Sequence, residues 1–401
     1  MPPVIAVGFD SVLDVWITFP TLKDFKSFAD GYARAASKLL KHGYELVAAG
    51  KGEEVPVDGK ILAPRELLKR AREAGAKIRY ALGGNGALEA TTLGALGAKV
   101  VFIGGFSPAG LAEMLPSERK RFKKADLSFA LASKRGSVSY VLQARNTNRY
   151  ILCDGRGKRI EHLRHYVKKL PSTIEGVLDK YRKLDVVNLV GLHGLFANGI
   201  RNGDLRLVEN VVNKIRGATG APLFTDAGGL EAFSRKERRL LGRVYSMFDI
   251  LSVNEEEVLH ISRALGSQAK DEFEAVRAIS KSSPSLSTVW LHSTHYQASL
   301  STRYEETQLK MAQAMAAAAG AYRVERGAFP SSRALTRIVK TANYSERGLS
   351  TVTAAKNRYG SKIDGATLAV TPCYKIKSFA STVGAGDIAA AAYTYTLAKK
   401  D

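Results

Sequence analysis

Cysteine is nearly missing from this sequence. Of 401 residues only Cys153 and Cys373 are cysteine, which excludes a disulfide scaffold and a multi-cysteine zinc site and suits a reducing cytoplasm. Long apolar runs are missing too: none approaches the roughly 20 residues that cross a bilayer. The opening MPPVIAVGFDSVLD has no basic stretch ahead of its apolar residues, so it reads as a first strand and not as a secretion signal. Acid is in short supply, with 38 Asp and Glu against 60 Lys and Arg, a formal net charge of +22. The basic runs ERKRFKK (118–124) and SRKERRLLGR (234–243) carry apolar positions at helical spacing and few aromatic residues on which bases could stack. Specific nucleic-acid binding is therefore not expected, and an acidic small-molecule substrate suits the charge better.

What is present is a long alternation of strand-like and helix-like segments. VIAVGFD (4–10) is a first strand, and TLKDFKSFADGYARAASKLLKHG (21–43) has helical periodicity with a glycine stop. GGNGALEATTLGALGAKVVFIGG (83–105) reads as glycine turn, helix, glycine stop and strand. Between about 127 and 170 the pattern changes: SVSYVLQA and RYILCD are strand-like, and GRG (155–157) suggests a hairpin tip. Buried strands return in DVVNLVGLHG, APLFTDAGG, FDILSVNEEE and STVWLHSTH, and ATLAVTPCY (366–374) adds a late one. The expectation is an α/β protein: a doubly wound sheet with helices on both faces plus a smaller β-rich lid. The expected boundaries are 1–12, 50–105 and 185–401 for the large domain, and 13–49 and 106–184 for the lid. Ligands of open parallel sheets lie beyond the carboxyl ends of the strands. His193, Asp226, Asn254 and His292 all fall there.

Two constellations carry chemistry. In TVGAGDIAAAA, Gly384, Ala385 and Gly386 precede a helix, where bare N–H groups and the helix dipole suit a phosphate or a developing anion. A carboxylate at Asp387 would repel phosphate, but it makes sense as the base that takes a proton from an attacking hydroxyl. The residues alone leave open the alternative that Asp387 caps an ordinary helix. In NEEE, Asn254 and Glu257 share a face of a first helical turn and suit a hydrated magnesium ion, with Asp226 as a third oxygen. A capping box explains the same pair and, on these residues alone, is the stronger reading.

The ordered set GFDSVLD (8–14), GGNGA (83–87), NRYI (148–151), NEEE (254–257), LHSTHY (291–296), AVTP (369–372) and STVGAGD (381–387) resembles the archaeal ADP-dependent sugar kinases, the glucokinases and phosphofructokinases of the ribokinase-like superfamily. The resemblance runs from residue 8 to the end. It implies transfer of the β-phosphoryl of ADP to a sugar or sugar phosphate (glucose, fructose 6-phosphate or ribose 1-phosphate), release of AMP, and a magnesium requirement. It places Asp14, Gly84 and Asn85 on the sugar side and Asn254, Glu257 and Asp226 near magnesium. It makes Asp387 the base and the Gly384–Gly386 backbone the anion hole, with His292 and Val383 on the nucleotide side. Arg149 matches the arginine of a lid motif and is expected to be structural. Arg145, Lys158, Arg201 and Arg206 are candidates to receive a second phosphate. There are departures. Asp10 and Val12 stand where the family has asparagines, and Phe224 and Asp226 stand where it has a His-x-Glu motif. The GAGD spelling is nearer to ATP-using ribokinases. An ATP-dependent sugar or nucleoside kinase and an inactive nucleotide- or nucleic-acid-binding descendant therefore remain as alternatives. The oligomeric state stays open between monomer and small homo-oligomer.

Overall fold

The computed structural model describes the chain except residues 10–11, 58–60, 133–136, 146, 155, 197–201, 229, 231–232, 379, 381 and 400–401, and it leaves out the side chains of 34, 56, 137, 154, 156–163 and 202. The chain opens with strands β1 (Val4–Gly8) and β2 (Val12–Phe19). Next come α1 (Leu22–Asp30), α2 (Arg34–Ala48), β3 (Glu53–Val57), α3 (Pro64–Glu73) and β4 (Lys77–Gly83). Then follow α4 (Asn85–Leu96), β5 (Lys99–Phe102), β6 (Gly105–Phe106), α5 (Pro108–Glu113), α6 (Pro116–Phe122) and β7 (Leu131–Ala132). Strands β8 (Ser137–Ala144) and β9 (Arg149–Asp154) lead into the long α7 (Arg156–Tyr181). After β10 (Val186–Leu189) come α8 (Asn202–Thr219), β11 (Leu223–Asp226), α9 (Arg235–Tyr245), β12 (Ile250–Val253), α10 (Glu255–Ala264) and α11 (Glu272–Ser282). The remainder is β13 (Thr288–His292), β14 (Tyr296–Ser301), α12 (Glu306–Arg326), α13 (Ser332–Thr341), α14 (Glu346–Tyr359), β15 (Lys362–Ile363), β16 (Ala366–Pro372) and α15 (Ala385–Ala398).

Nine strands form the larger sheet in the order β15-β16-β14-β13-β12-β11-β10-β1-β5. The six from β13 to β5 run parallel, and the rest add antiparallel. The strands of this parallel block are short, and three of the six are buried along their whole length, because helices cover both faces. One core joins the sheet to α7–α11, the other to α4, α12 and α15. The result is the expected doubly wound layer structure, with the carboxyl ends of β1 and β10–β13 along one rim.

The second sheet has the order β3-β9-β8-β2-β4. One of its faces buries Ile17, Phe19, Leu142, Tyr150 and Leu152 against α1–α3. Alternation along the strands turns Trp16, Ala81 and Val141 to the other face, where they meet Val383 of the segment before α15. The segments are shared out differently from the expected boundaries. Strands β3 and β4 pair in this second sheet, although residues 50–105 were assigned to the larger unit. Helix α7 packs in the larger core through Tyr166, Val167, Leu170 and Ile174, although 106–184 was assigned to the lid.

Two local readings are corrected. Residue 155 of the expected hairpin tip at 155–157 lies outside the described residues, and from Arg156 the chain is helical. The expected single helix over 21–43 is two: a capping box on Thr21 starts α1, Gly31 ends it, and Gly43 lies inside α2 rather than stopping it. Gly43 is there for proximity. A Cβ at this position would stand 2.2 Å from Cδ1 of the fully buried Tyr150 ring. Alanine would gain up to about 1 kcal/mol in helix propensity, but the clash forces overpacking that costs about 1–3 kcal/mol. Gly43→Ala is therefore expected to lower the urea midpoint, as read by circular dichroism; an unchanged or raised midpoint would mean that Tyr150 moves aside freely.

Candidate active site

The turn before α15 is built by glycine. Gly384 is the N-cap residue, with φ 71° and ψ 13°, a left-handed conformation that residues with a Cβ avoid. A Cβ there would also come within 2.7 Å of Leu88 Cδ1 on α4. The Ala385 N–H closes the turn on the Thr382 carbonyl oxygen at 3.1 Å, and the Ile388 N–H bonds back to the Gly384 carbonyl. The Ala385 amide is thus engaged within the turn itself. Asp387 stands in the first turn of α15 but is not its cap, so the capping alternative does not hold.

Asp14 lies in β2 between β4 and β8 and is only 8% exposed, a buried carboxylate rather than one on the rim of the sheet. A Cβ on Gly83 would sit 2.2 Å from Asp14 Oδ1, so only glycine lets the carboxylate rest on the backbone that opens α4. Gly84 is the cap residue of α4, and Asn85 is the first residue inside the helix. Asp14, Gly84, Asn85 and, through Leu88, the Gly384 turn therefore meet around one end of α4.

Arg149 reaches out of β9 to this place. Its Nη1 donates to Thr382 Oγ1 at 2.6 Å, joining the second sheet to the glycine turn, while its buried Nε has no hydrogen-bond partner among the described residues. Burial pushes the guanidinium pKa down, and the charges of Asp14, Glu54 and Asp387 oppose that. Arg145 lies just past β8, whose Ser139 pairs with Asp14. At about 3.3 Å per residue this puts Arg145 some 20 Å from Asp14 along the sheet. Arg206 is exposed on α8, and Lys158 and Arg201 fall outside the described side chains.

On the parallel rim, Asp226 ends β11 and His292 ends β13. His292 Nε2 is 3.9 Å from Asp226 Oδ1, and a Cβ on Gly386 would lie 3.8 Å from the His292 ring. His292 thus adjoins both constellations. Asn254 and Glu257 form the capping box of α10: Asn254 Oδ1 accepts the N–H groups of Glu256 and Glu257, and Glu257 Oε2 accepts that of Asn254, each at 2.9 Å. Among the described residues no three His, Cys, Asp or Glu side chains are placed to hold a metal directly. The residues fit a metal held through water. Asp226 Oδ1 is buried without a hydrogen bond among the described residues, and Glu257, 5% exposed, is a carboxylate on the first turn of α10, just past the adjacent strand β12. Phe224 is fully buried in the apolar core. The Val383 side chain packs on Trp16, Ala81 and Val141. His193 lies against Gly228, two residues past Asp226, and His295 pairs with Ser345.

Two residues of the site are not evident from local sequence. Glu89, fully buried on α4, accepts the Asn188 amide at 2.7 Å. Burial pushes its carboxyl well above the ordinary carboxylate range; the Asn188 hydrogen bond opposes this, and the charges of Asp387 and Asp226 add to it. Arg323, on the last turn of α12, donates to the Val383 carbonyl. A carboxylate among the small residues of GGNGALEA was the one available signal for Glu89; Arg323 had none.

A doubly wound sheet with a glycine turn and a carboxylate on the helical turn that follows is the arrangement expected of a nucleotide-dependent phosphotransferase. The profile of the ADP-specific phosphofructokinase/glucokinase conserved region matches residues 5–395. The chain belongs to this family: it is a sugar kinase, a phosphotransferase with an alcohol acceptor, and ADP is its co-substrate. A phosphofructokinase from Pyrococcus horikoshii OT3 crystallised with AMP superposes with a TM-score of 0.73 at 14% identity, over 99% of each chain. An ADP-dependent kinase complexed with fructose-6-phosphate and ADPbetaS gives 0.74 at 16% identity, over 99% of this chain and 94% of that one. Adenosine kinase from Trypanosoma brucei brucei gives 0.50 at 13%, over 75% and 82%. At these identities the likeness shows the fold. No curated protein matches the sequence.

Proposed function

We propose that the chain transfers the β-phosphoryl of ADP to a hydroxyl of a sugar phosphate and releases AMP, with Asp387 as general base and magnesium as cofactor. One observation carries this reading: α4 brings Asp14, resting on Gly83, and the Gly384 turn, resting on Leu88, to the same end of one helix. An acceptor held by Asp14 and Asn85 thereby faces the carboxylate that would take its proton. Asp387 accepts that proton as the hydroxyl oxygen attacks phosphorus and the bond to the AMP oxygen breaks. The turn amides of Gly384 and Gly386 and the dipole of α15 stabilise charge on the phosphoryl oxygens. Asp226, Glu257 and Asn254 would hold magnesium through water, and the ion would neutralise charge on the phosphoryl oxygens when bound. His292, beside Gly386 and Asp226, contacts the donor. The second sheet, with α1–α3, closes over the acceptor and excludes water. The excess of basic residues, and an Arg149 Nε without a hydrogen-bond partner among the described residues, support an acidic acceptor.

The test is a donor-by-acceptor matrix: ADP and ATP, each with magnesium and with EDTA, against glucose, fructose 6-phosphate, ribose 1-phosphate, ribose and nucleosides, following AMP and ADP. The expected product is AMP, formed from ADP with a sugar phosphate and lost with EDTA. ADP formed from ATP would move the chain to ATP-dependent ribokinase-like chemistry. No turnover with any pair would leave a silent nucleotide-binding descendant.

A further inference from the structure

Three successive residues at the end of α12 hold the strap that leads into the glycine turn. Glu325 Oε1 accepts the Lys377 N–H at 2.7 Å, the Val324 carbonyl accepts the Ala380 N–H at 2.7 Å, and Arg323 Nε donates to the Val383 carbonyl at 2.8 Å. Arg323 also donates through Nη1 to the Gly327 carbonyl at 2.8 Å, and its guanidinium lies 5.3 Å from the centre of the Phe329 ring. Only 5% of the residue is exposed.

We propose that Arg323 is a positioning residue for phosphoryl transfer, which aims the Gly384 N–H at the anion and places a buried positive charge behind the turn. The geometry rests on the peptide plane. In a planar trans peptide the Val383 carbonyl and the Gly384 N–H point in opposite directions. Holding the carbonyl toward α12 therefore turns the N–H away from α12. A buried guanidinium is costly to desolvate, and an apolar side chain would fill the same space more cheaply. The charge earns its place only where it acts on other charges. Burial pushes the Arg323 pKa down; Glu118 opposes this, Arg79 reinforces it, and Asp387 and Asp14, the proposed base and acceptor-binding carboxylate, oppose it.

This inference rests on the anion-turn reading of the proposed function, so the wild type is assayed first with the acceptor that the matrix identifies. Arg323→Gln keeps one donor and loses the charge, whereas Arg323→Lys keeps one donor and the charge. Arg323→Gln is expected to lower kcat about 100-fold, as loss of an anion-hole donor does. Arg323→Lys is expected to stay within about tenfold of wild type, with the acceptor KM of both within about threefold, the pattern of an interaction made in the transition state. Equal kcat losses in the two variants, a loss carried by KM, or full activity in Arg323→Gln would overturn the proposal while leaving the functional reading intact. An inactive wild type would overturn both. If Arg323→Gln gives no cooperative melt, Arg323→Lys decides alone: kcat within about tenfold supports the inference, and a deeper loss overturns it.

Discussion

Asp387→Ala is expected to lower kcat by about 10²- to 10⁴-fold, the usual contribution of a positioned general base. The melting temperature should barely change. Asp387 is in the first turn of α15, and the cap of that helix is Gly384, which has no side chain to cap with. Its place at the positive end of the dipole favours the helix by about 0.3–1 kcal/mol. A thousandfold loss of rate corresponds to about 4 kcal/mol of activation free energy. Lost helix stabilisation therefore cannot mimic lost base catalysis. The check pairs steady-state kinetics at saturating ADP and acceptor with a thermal melt of the same preparation. Asp387→Asn, which keeps the shape without the charge, should lose kcat to a similar extent with KM little changed. Turnover within a few-fold of wild type in either variant would remove Asp387 from the role of base.

The rim of the site was legible because each part is local. Strand β11 ends on Asp226 and β13 on His292, and the capping box of Asn254 and Glu257 is a pattern of four residues. The helix opened at Asn85 and closed by the left-handed Gly97 was legible for the same reason. Residues that act through distant partners were not. Arg323 meets Val383 across 60 residues and Glu89 meets Asn188 across 99, and nothing near either residue announces the partner. On α12 an arginine close to the helix end reads as a solvated charge that favours the dipole. The division into two sheets failed for a related reason. Strands β3 and β4 look like ordinary strands, and only their pairing with β9 and β2 shows which sheet they join. Gly43 misled because a glycine within helical periodicity looks like a stop, whereas here the Tyr150 ring demands the missing side chain.

Gly384→Val is expected to lower kcat by more than about 100-fold, the effect of losing an anion-hole donor, and to lower the melting temperature as well. The two effects have separable causes. Valine at a φ of 71° costs about 1–3 kcal/mol of backbone strain wherever it is placed. At Gly384 the added Cβ also stands 2.7 Å from Leu88 Cδ1, and Leu88 is buried within α4. Either the Leu88 side chain shifts, which loosens the packing between α4 and the turn, or the turn opens and its amides leave the phosphoryl oxygens. Gly266 supplies the control. It has a φ of 92° and nothing within 4 Å of a would-be Cβ, and it lies beyond the end of α10. Gly266→Val therefore carries the strain without the collision, and it should lower the melting temperature while leaving kcat near wild type. If Gly266→Val and Gly384→Val lost activity in parallel with their stability, strain alone would explain both, and the turn would have no special part in the reaction. If only Gly384→Val lost kcat, the contact between α4 and the glycine turn would be the structural condition for transfer, because the same contact holds the acceptor side and the anion side together.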